Sequence, residues 1–460
     1  MSTATARERT PTSVLLDDLV DDWTPIRSAV RSPHSDTPTD GDGVMCGSAR
    51  IGGRRAFVYA QDPDVLGGSL GEVHADSICR TLDQAGRYGA PVVGIHRSGG
   101  ARIQEGVRAL AGYARIFSRH VRLGGVVPQV GLVFGPCAGG AAYGPALMDL
   151  VVMPATGAYL FLTGPDVVRE VTGEDVDFEQ LGGANVAGRS GLASLVGGDD
   201  ADAIGLTKRL LTYLPQAIGE APPDVELWSA PVGEPSVPSE PRRAYDVRDV
   251  IAMIVDGGSF LELRATWARN LVVGLARIEG RVVGIVANQP LSLAGAIDIE
   301  ASRKGAWFVS LCDRFRFPLG VFVDTPGFLP GTSQELGGVI PAGASFLRSF
   351  VEASVPKATV VLRKAYGGAF IVMNARDLGA DYVYAWPGAE IAVMGARPAV
   401  RILERRQLAS ADDPAALQAE LEEAYRERYL TPWPAAHAGA VDEVIEPAST
   451  RDRLAQALLG

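Results

Sequence analysis

Two pairs of adjacent glycines mark where this sequence can do chemistry. Gly139-Gly140 closes the run Val130-Gly131-Leu132-Val133-Phe134-Gly135-Pro136-Cys137-Ala138, and Gly367-Gly368 closes Ala358-Thr359-Val360-Val361-Leu362-Arg363-Lys364-Ala365-Tyr366. Each reads as a buried strand, a tight turn and a helix start. Glycines at such a turn leave backbone N–H groups unobstructed, in the positive field of the helix that follows. Pairs of these donors serve as oxyanion holes, which stabilise charge developing on a carbonyl oxygen. Two such turns imply two carbonyl-type oxygens in one reaction. The plainer alternative is that the glycines only let a helix pack closely on a strand.

The spacing favours the chemical reading. The two pairs lie 228 residues apart, and so do Pro128 and Pro356 just before each strand. Pro91 and Pro318 lie 227 apart, and each opens an apolar strand that ends in a turn: Ser98-Gly99-Gly100-Ala101 in one case, Thr325-Pro326-Gly327-Phe328 in the other. Three coincidences in register indicate an internal duplication.

The elements follow from that duplication. Residues 1–42 read as an N-terminal tail, with a short amphipathic helix over Ser13–Trp23 capped by Ser13. The first domain spans 43–214: a hairpin across Gly52-Gly53, a helix over Gly71–Gly86, the Pro91 strand, a helix over Arg102–Arg119 and the first glycine turn. Residues 215–243 hold seven prolines among polar residues and read as an extended linker. The second domain, 244–460, repeats the first, with a hairpin across Gly280-Arg281, a helix over Glu300–Arg314 and the second glycine turn. A charged helix is expected over Asp412–Tyr429. Alternating helices and uninterrupted apolar strands give an α/β fold, sheets covered by helices.

Composition narrows the function. At 460 residues the chain exceeds one ordinary core, and 47% hydrophobic content supplies two. A net charge of −11 excludes nonspecific nucleic-acid binding. Cys46, Cys79, Cys137 and Cys312 show no metal-ligand spacing and read as reduced core thiols of a cytoplasmic protein; no metal site is expected. The polar N-terminus shows no signal peptide. Leu123–Met148 carries no charge but holds three prolines and is a buried strand–turn–helix rather than a membrane span.

Side-chain catalysts are scarce. There is no G-x-S-x-G elbow, H-E-x-x-H, phosphate-binding P-loop or dinucleotide fingerprint. Of the five histidines only His96 neighbours a candidate turn, and Cys137, with no basic neighbour in sequence, reads as packing rather than nucleophile.

Several motifs together carry a resemblance from about Gly41 to Arg453. They are Gly67-Gly68-Ser69-Leu70-Gly71-Glu72-Val73, Ser98-Gly99-Gly100-Ala101-Arg102-Ile103-Gln104-Glu105-Gly106, Gly135-Pro136-Cys137-Ala138-Gly139-Gly140, Leu162-Thr163-Gly164-Pro165-Asp166-Val167, Asp324-Thr325-Pro326-Gly327-Phe328-Leu329-Pro330-Gly331 and Arg363-Lys364-Ala365-Tyr366-Gly367-Gly368-Ala369. In these the chain resembles the carboxyltransferase β subunits of biotin-dependent acyl-CoA carboxylases, of the propionyl-CoA carboxylase type. The resemblance implies tandem crotonase-like domains, each a ββα superhelix, in a hexamer built as a dimer of trimers. It implies an acyl-CoA side in the first domain and a biotin side in the second. Gly139 and Gly140 would hold the thioester oxygen of the CoA substrate, with Ser98, Gly99, Gly100, Ala101, Arg102 and Ala141 around it. Gly367 and Gly368 would hold the ureido oxygen of carboxybiotin, with Thr325, Pro326, Gly327, Phe328 and Ala369 nearby. The biotin would come on a separate biotin carboxyl carrier, charged by a biotin carboxylase subunit, because the chain lacks a Met-Lys-Met biotinylation signature. Chain-length selection in the family turns on the position occupied here by Ile371; an aspartate there favours propionyl, so isoleucine implies a longer apolar acyl chain.

Departures from the family pattern leave alternatives open. Arg97 stands where an acidic residue is usual, and Leu336–Ser345 lacks the usual histidine, arginines and lysine. Ser77 and Trp307 replace common basic residues. About five cations that could grip phosphate or carboxylate are therefore missing. A carboxyltransferase making substituted malonyl-CoA extender units, a decarboxylase running the same steps backwards, and a non-catalytic scaffold all remain.

Overall fold

The computed structural model describes residues 10–34, 38–224, 228–240 and 243–460. It divides into two units, Met1–Pro223 and Asp224–Gly460, a boundary inside the proline-rich stretch.

Each unit is built on one twisted sheet with the same plan. In the first, β1 (Asp22–Ile26), β2 (Val44–Ile51) and β3 (Arg54–Gln61) run antiparallel. Then β4 (Val92–Ser98), β5 (Gln129–Ala138), β6 (Leu150–Pro154) and β8 (Leu195–Gly197) continue in parallel, and β7 (Tyr159–Phe161) pairs with the far end of β5. In the second, β9 (Leu261–Leu263), β10 (Leu271–Ile278) and β11 (Arg281–Asn288) are antiparallel. They are followed in parallel by β12 (Leu319–Thr325), β13 (Lys357–Tyr366), β14 (Tyr382–Ala385) and β16 (Glu443–Val444), with β15 (Glu390–Ala392) on the end of β13. Strands β4, β5, β12 and β13 are buried almost throughout, which is why they read as continuous apolar runs. The duplication seen in the spacing is thus a duplication of sheet order and direction.

Three expectations are corrected. The tail is not a tail: α1 (Pro11–Leu19) buries Leu16 and Leu19 completely, and β1 pairs with β2. Gly47 permits this pairing, because a Cβ there would lie 2.5 Å from the Thr24 carbonyl and 2.7 Å from the Trp23 ring. The cap of α1 is Thr10 rather than Ser13; the Ser13 N–H donates to Thr10 Oγ1 at 3.2 Å. The second hairpin turns at Glu279-Gly280, both at positive φ, one residue before the expected Gly280-Arg281. The first turns at Gly52-Gly53, as read.

The described part of 215–243 forms no helix or strand, and residues 225–227 and 241–242 of that linker, like the polar first nine residues, lie outside the description. The uncharged stretch Leu123–Met148 becomes the end of α3 (Val107–Leu123), β5 and α4 (Gly140–Ala146). No helix among the described residues is long and apolar enough to cross a membrane. The charged helix runs Pro414–Tyr429 and buries none of its residues.

The first unit hides a polar network built on histidines. Tyr59 Oη lies 3.1 Å from His96 Nε2 and 3.4 Å from His120 Nε2, and His120 Nδ1 donates to Gln129 Oε1 at 2.7 Å. His74 is likewise buried, its ring 3.0 Å from the Asp42 carbonyl. Burial lowers His74 and His96 to about 3 and His120 to about 4. These rings stay neutral in the fold while the unfolded chain takes up protons below about pH 6.5. Stability is therefore intact above that pH and is lost as pH falls toward 4. Asp42, pushed up chiefly by burial, acts in the opposite sense only within the carboxylate range. The second unit's one histidine, His437, is exposed. Amide exchange at pH 7, 6 and 5 is expected to show the first unit opening before the second; simultaneous opening would contradict this.

Candidate active site

Each unit presents a candidate site built from its own glycine turn and from the loop that leaves the neighbouring strand. In the first unit β5 ends at Ala138, and Gly139 enters α4 at φ +58°. An L-residue adopts that conformation only with strain. The N–H of Gly139 donates to the Phe161 carbonyl at 3.0 Å, so it belongs to the sheet. This corrects the expectation that both glycines supply donors. Gly140 is the first residue of α4, one of the positions whose N–H a helix leaves without an internal acceptor.

A second donor comes from the loop after β4. Leu70 and Ala101 form an isolated parallel bridge in which the Leu70 N–H donates to the Gly100 carbonyl and the Arg102 N–H to the Leu70 carbonyl. The bridge uses the groups on either side of Ala101, so the N–H of Ala101 itself faces away from Leu70. Gly100, at φ +107°, lets this loop approach β5; a Cβ there would sit 3.2 Å from the Ala138 carbonyl. The Ser98 hydroxyl accepts the Gly100 N–H at 3.2 Å and shapes the loop. The loop that carries Ala101 is thereby held against Ala138, the residue that leads into the Gly139-Gly140 turn.

The second unit repeats the bridge and the glycine turn. Gly367 starts its helix at φ +57°, and a Cβ on it would meet the Val393 carbonyl at 3.0 Å. Ile297 and Phe328 form the matching isolated bridge: the Ile297 N–H donates to the Gly327 carbonyl and the Leu329 N–H to the Ile297 carbonyl. Phe328 therefore stands to Gly368 as Ala101 stands to Gly140. Gly368 is exposed, and the nearest atom to a Cβ built on it is the Phe328 ring, 3.9 Å away. Thr325 Oγ1 accepts the Gly327 N–H at 3.3 Å, and Pro326 is exposed at the loop's edge.

Beside this second turn lies a cavity of about 460 Å³, lined by Phe328, Ile340, Gly343, Leu347, Gly368 and Ile371 among others. Among the described residues, Glu335 is its one charged lining residue and no cation lines it. Ile371 is 49% exposed.

Other expected residues do different work. Arg102 is 2% exposed. Its guanidinium is held by Asp42 and Glu105 at 2.8 Å each and by the Ser69 carbonyl at 3.1 Å, so it fixes the loop from beneath and has no face for a ligand. Ala141 and Ala369 are buried under their turns rather than presented at them. Gly99 is exposed at the tip of its loop. Arg97 turns away from the loop toward α1, where its guanidinium donates to Thr12 Oγ1 at 2.8 Å. Its departure from the usual acidic residue therefore does not put a cation into the site. Cys137 is buried and its thiol is pushed up to about 12, which bars it as a nucleophile at neutral pH. His96, buried and held near 3, is no acid–base group at that pH. Phe328, expected on the biotin side, is matched to Ala101 by its bridge, and the offset of 227 residues between them carried that correspondence in the sequence.

The profile of the carboxyl transferase domain matches residues 3–459. The chain belongs to the carboxyl transferase family. This carboxyl transferase is 51% identical over 425 residues to the propionyl-CoA carboxylase carboxyltransferase subunit of Haloferax mediterranei, covering 91% of this chain and 82% of that one. It is 49% identical over 428 residues to the methylmalonyl-CoA carboxyltransferase 12S subunit of Propionibacterium freudenreichii subsp. shermanii, covering 91% and 80%. The crystal structure of transcarboxylase 12S with methylmalonyl-coenzyme A and methylmalonic acid bound, described as a hexamer assembly, superposes with a TM-score of 0.93 at 46% identity over 97% of this chain and 88% of that one. A single-chain, multi-domain long-chain acyl-CoA carboxylase superposes with a TM-score of 0.85 at 30% identity, covering 97% of this chain and 45% of its own. The expected kinship with carboxyltransferase β subunits of biotin-dependent acyl-CoA carboxylases holds, and so does the tandem crotonase-like fold.

Proposed function

We propose that this carboxyl transferase moves a carboxyl group from carboxybiotin, carried on a separate biotin carboxyl carrier, to the α-carbon of an acyl-CoA. The observation that carries this reading is the repeated arrangement of an isolated bridge, at Ala101 and at Phe328, with a glycine turn, at Gly140 and at Gly368. In this reading the amides of Ala101 and Gly140 hold the thioester oxygen as the α-carbon becomes enolate-like. Those of Phe328 and Gly368 hold the ureido oxygen of biotin. When bound, carboxybiotin supplies the carboxyl group. The exposed Gly368 and the open space beside it fit a neutral ring system. The chain's own contribution is position and field. Following transcarboxylase 12S, we extend hexameric assembly to this chain; the four cysteines, all buried free thiols, favour the cytoplasm.

The acyl group is the finer question. Relatives are named for propionyl- and methylmalonyl-CoA. We take the acyl chain here to be longer, because Ile371 stands at the mouth of an apolar cavity and no cation lines it. Incubation with a biotinylated carrier, its biotin carboxylase, ATP, bicarbonate and competing acetyl-, propionyl-, butyryl- and hexanoyl-CoA tests both levels. Stable carboxylated thioester is expected, with kcat/KM for four- to six-carbon chains at or above that for propionyl-CoA. Ile371→Asp is expected to shift the ratio toward propionyl-CoA by about tenfold, the scale of a pocket contact. Strict propionyl preference in the native protein would refute the longer chain. Net CO2 release from malonyl-type thioesters would favour decarboxylation, and neither product would favour a scaffold.

A further inference from the structure

Both units carry the same irregularity just before their glycine turns. The register between β4 and β5 runs His96↔Val133 and then Ser98↔Cys137; between β12 and β13 it runs Val323↔Val361 and then Thr325↔Ala365. In each case three residues of the longer strand face a single residue of the shorter one. Arg97 faces Phe134-Gly135-Pro136, and Asp324 faces Leu362-Arg363-Lys364. Such bulges re-aim the chain that follows. Here the chain that follows reaches the glycine turn four residues after the middle of the bulge.

In the second unit the bulge is filled by a buried ion pair. Arg363 meets Asp324 Oδ2 at 3.0 Å through both Nε and Nη2. Its remaining donor group reaches the carbonyls of Arg243 at 2.8 Å and Glu240 at 3.2 Å. The guanidinium therefore ties the bulge to the segment by which the chain enters that unit.

In the first unit the same space is filled from the opposite strand. Arg97 occupies the place of Asp324, and Gly135 occupies the place of Arg363. Gly135 has no side chain to compete: a Cβ on it would lie 3.5 Å from Arg97 Nε and 3.6 Å from its Cγ. The guanidinium reaches Thr12 of α1, again the segment by which the chain enters the unit. Asp200, at the start of the helix Asp200–Leu211, feels the Arg97 charge. One guanidinium per unit, buried at Arg363 and half-buried at Arg97, thus braces the bulge against incoming chain, delivered from different strands.

We propose that Arg97 is a positioning residue for the first oxyanion turn, the counterpart of Arg363, acting through α1. The catalytic part of this proposal rests on the carboxyltransferase reading above; the structural part does not. Variants Arg97→Leu, Arg97→Lys, Thr12→Val and the exchanged pair Arg97→Asp with Gly135→Arg test it in the full-length protein. Two readouts are needed: carboxylation kinetics, and amide exchange over 138–142 against 366–370. Arg97→Leu is expected to lower kcat at least tenfold while the acyl-CoA KM stays within threefold, and to speed exchange over 138–142 at least tenfold without changing 366–370. Arg97→Lys, which can still donate to Thr12, should keep kcat within threefold. Thr12→Val, a mild change within α1, should lower kcat three- to tenfold. The exchanged pair should recover at least fivefold over either single variant, because it rebuilds the second unit's ion pair in the first.

A folded Arg97→Leu with native kcat and native exchange would overturn the proposal. If that variant does not fold, unchanged kcat and exchange in Thr12→Val would overturn it. An exchanged pair no better than its worse component would also overturn it. A native protein without activity would sink the carboxyltransferase reading instead, and the exchange data alone would then decide the role of Arg97.

Discussion

Gly140→Val is expected to lower kcat about 10²- to 10³-fold, the loss seen when one oxyanion donor is removed. The cause is steric and local. A Cβ at Gly140 would lie 3.1 Å from the ring of Tyr113, which is buried and packed against Phe117 at 5.6 Å between centroids. The ring cannot withdraw, so the start of α4 must move away from the loop bearing Ala101. The two amides then no longer converge on one oxygen. Gly140→Ala should show the same effect to a smaller degree. Gly140→Ala combined with Tyr113→Leu should recover part of the loss, because the obstruction is then gone. Steady-state carboxylation rates with saturating acyl-CoA measure this. Full activity in Gly140→Val would mean that the amide plays no part in the chemistry.

Gly367→Val is expected to cost as much, for a different reason. Gly367 sits at φ +57°, where a β-branched residue is strained, and its Cβ would press on the Val393 carbonyl at 3.0 Å. The turn that presents Gly368 would have to open. Acyl-CoA binding, measured by calorimetry, should weaken by no more than about tenfold, the scale of a pocket contact at Ile371 on the same helix, because the Gly140 turn that holds the thioester is untouched. The carboxylation rate should fall about 10²- to 10³-fold. Gly368→Ala is the control: nothing but the Phe328 ring at 3.9 Å opposes its Cβ, so the change should be mild. If Gly368→Ala were the more damaging of the two, the assignment of strain to Gly367 would be wrong.

The fold was legible because the duplication left its marks in proline and glycine positions, which answer to backbone geometry rather than to partners. The offsets of 227 and 228 residues differ by one, and the structure shows where the extra residue lies. Val92 pairs with Gln129 in the first unit and Leu319 with Lys357 in the second, so it falls in the helical crossover between those strands. The tail was misread because the apolar residues of α1 mark an amphipathic helix but not its partner; Leu16 and Leu19 are buried against parts of the first unit distant in sequence.

The candidate site was legible as two glycine turns and not in the hydrogen bonds around them. Which glycine offers its N–H depends on the three-residue strand β7, whose Phe161 carbonyl takes the Gly139 donor. The roles of Ala101 and Phe328 depend on single bridges to Leu70 and Ile297, about thirty residues upstream in each case. Arg102 looked like a ligand contact because arginine beside a glycine loop so often is. Asp42 and Glu105, distant and adjacent in sequence, turn it inward. The missing cations of Leu336–Ser345 are consistent with the apolar wall that Ile340, Gly343 and Leu347 make beside Gly368.

The most direct test is a crystal structure of the protein with a slowly reacting acyl-CoA bound together with free biotin. The thioester oxygen is expected within 2.7–3.1 Å of both the Ala101 and Gly140 nitrogens, and the ureido oxygen within the same distance of Phe328 and Gly368, as oxyanion-hole donors require. A thioester oxygen facing water or side chains, with those amides turned elsewhere, would contradict the account.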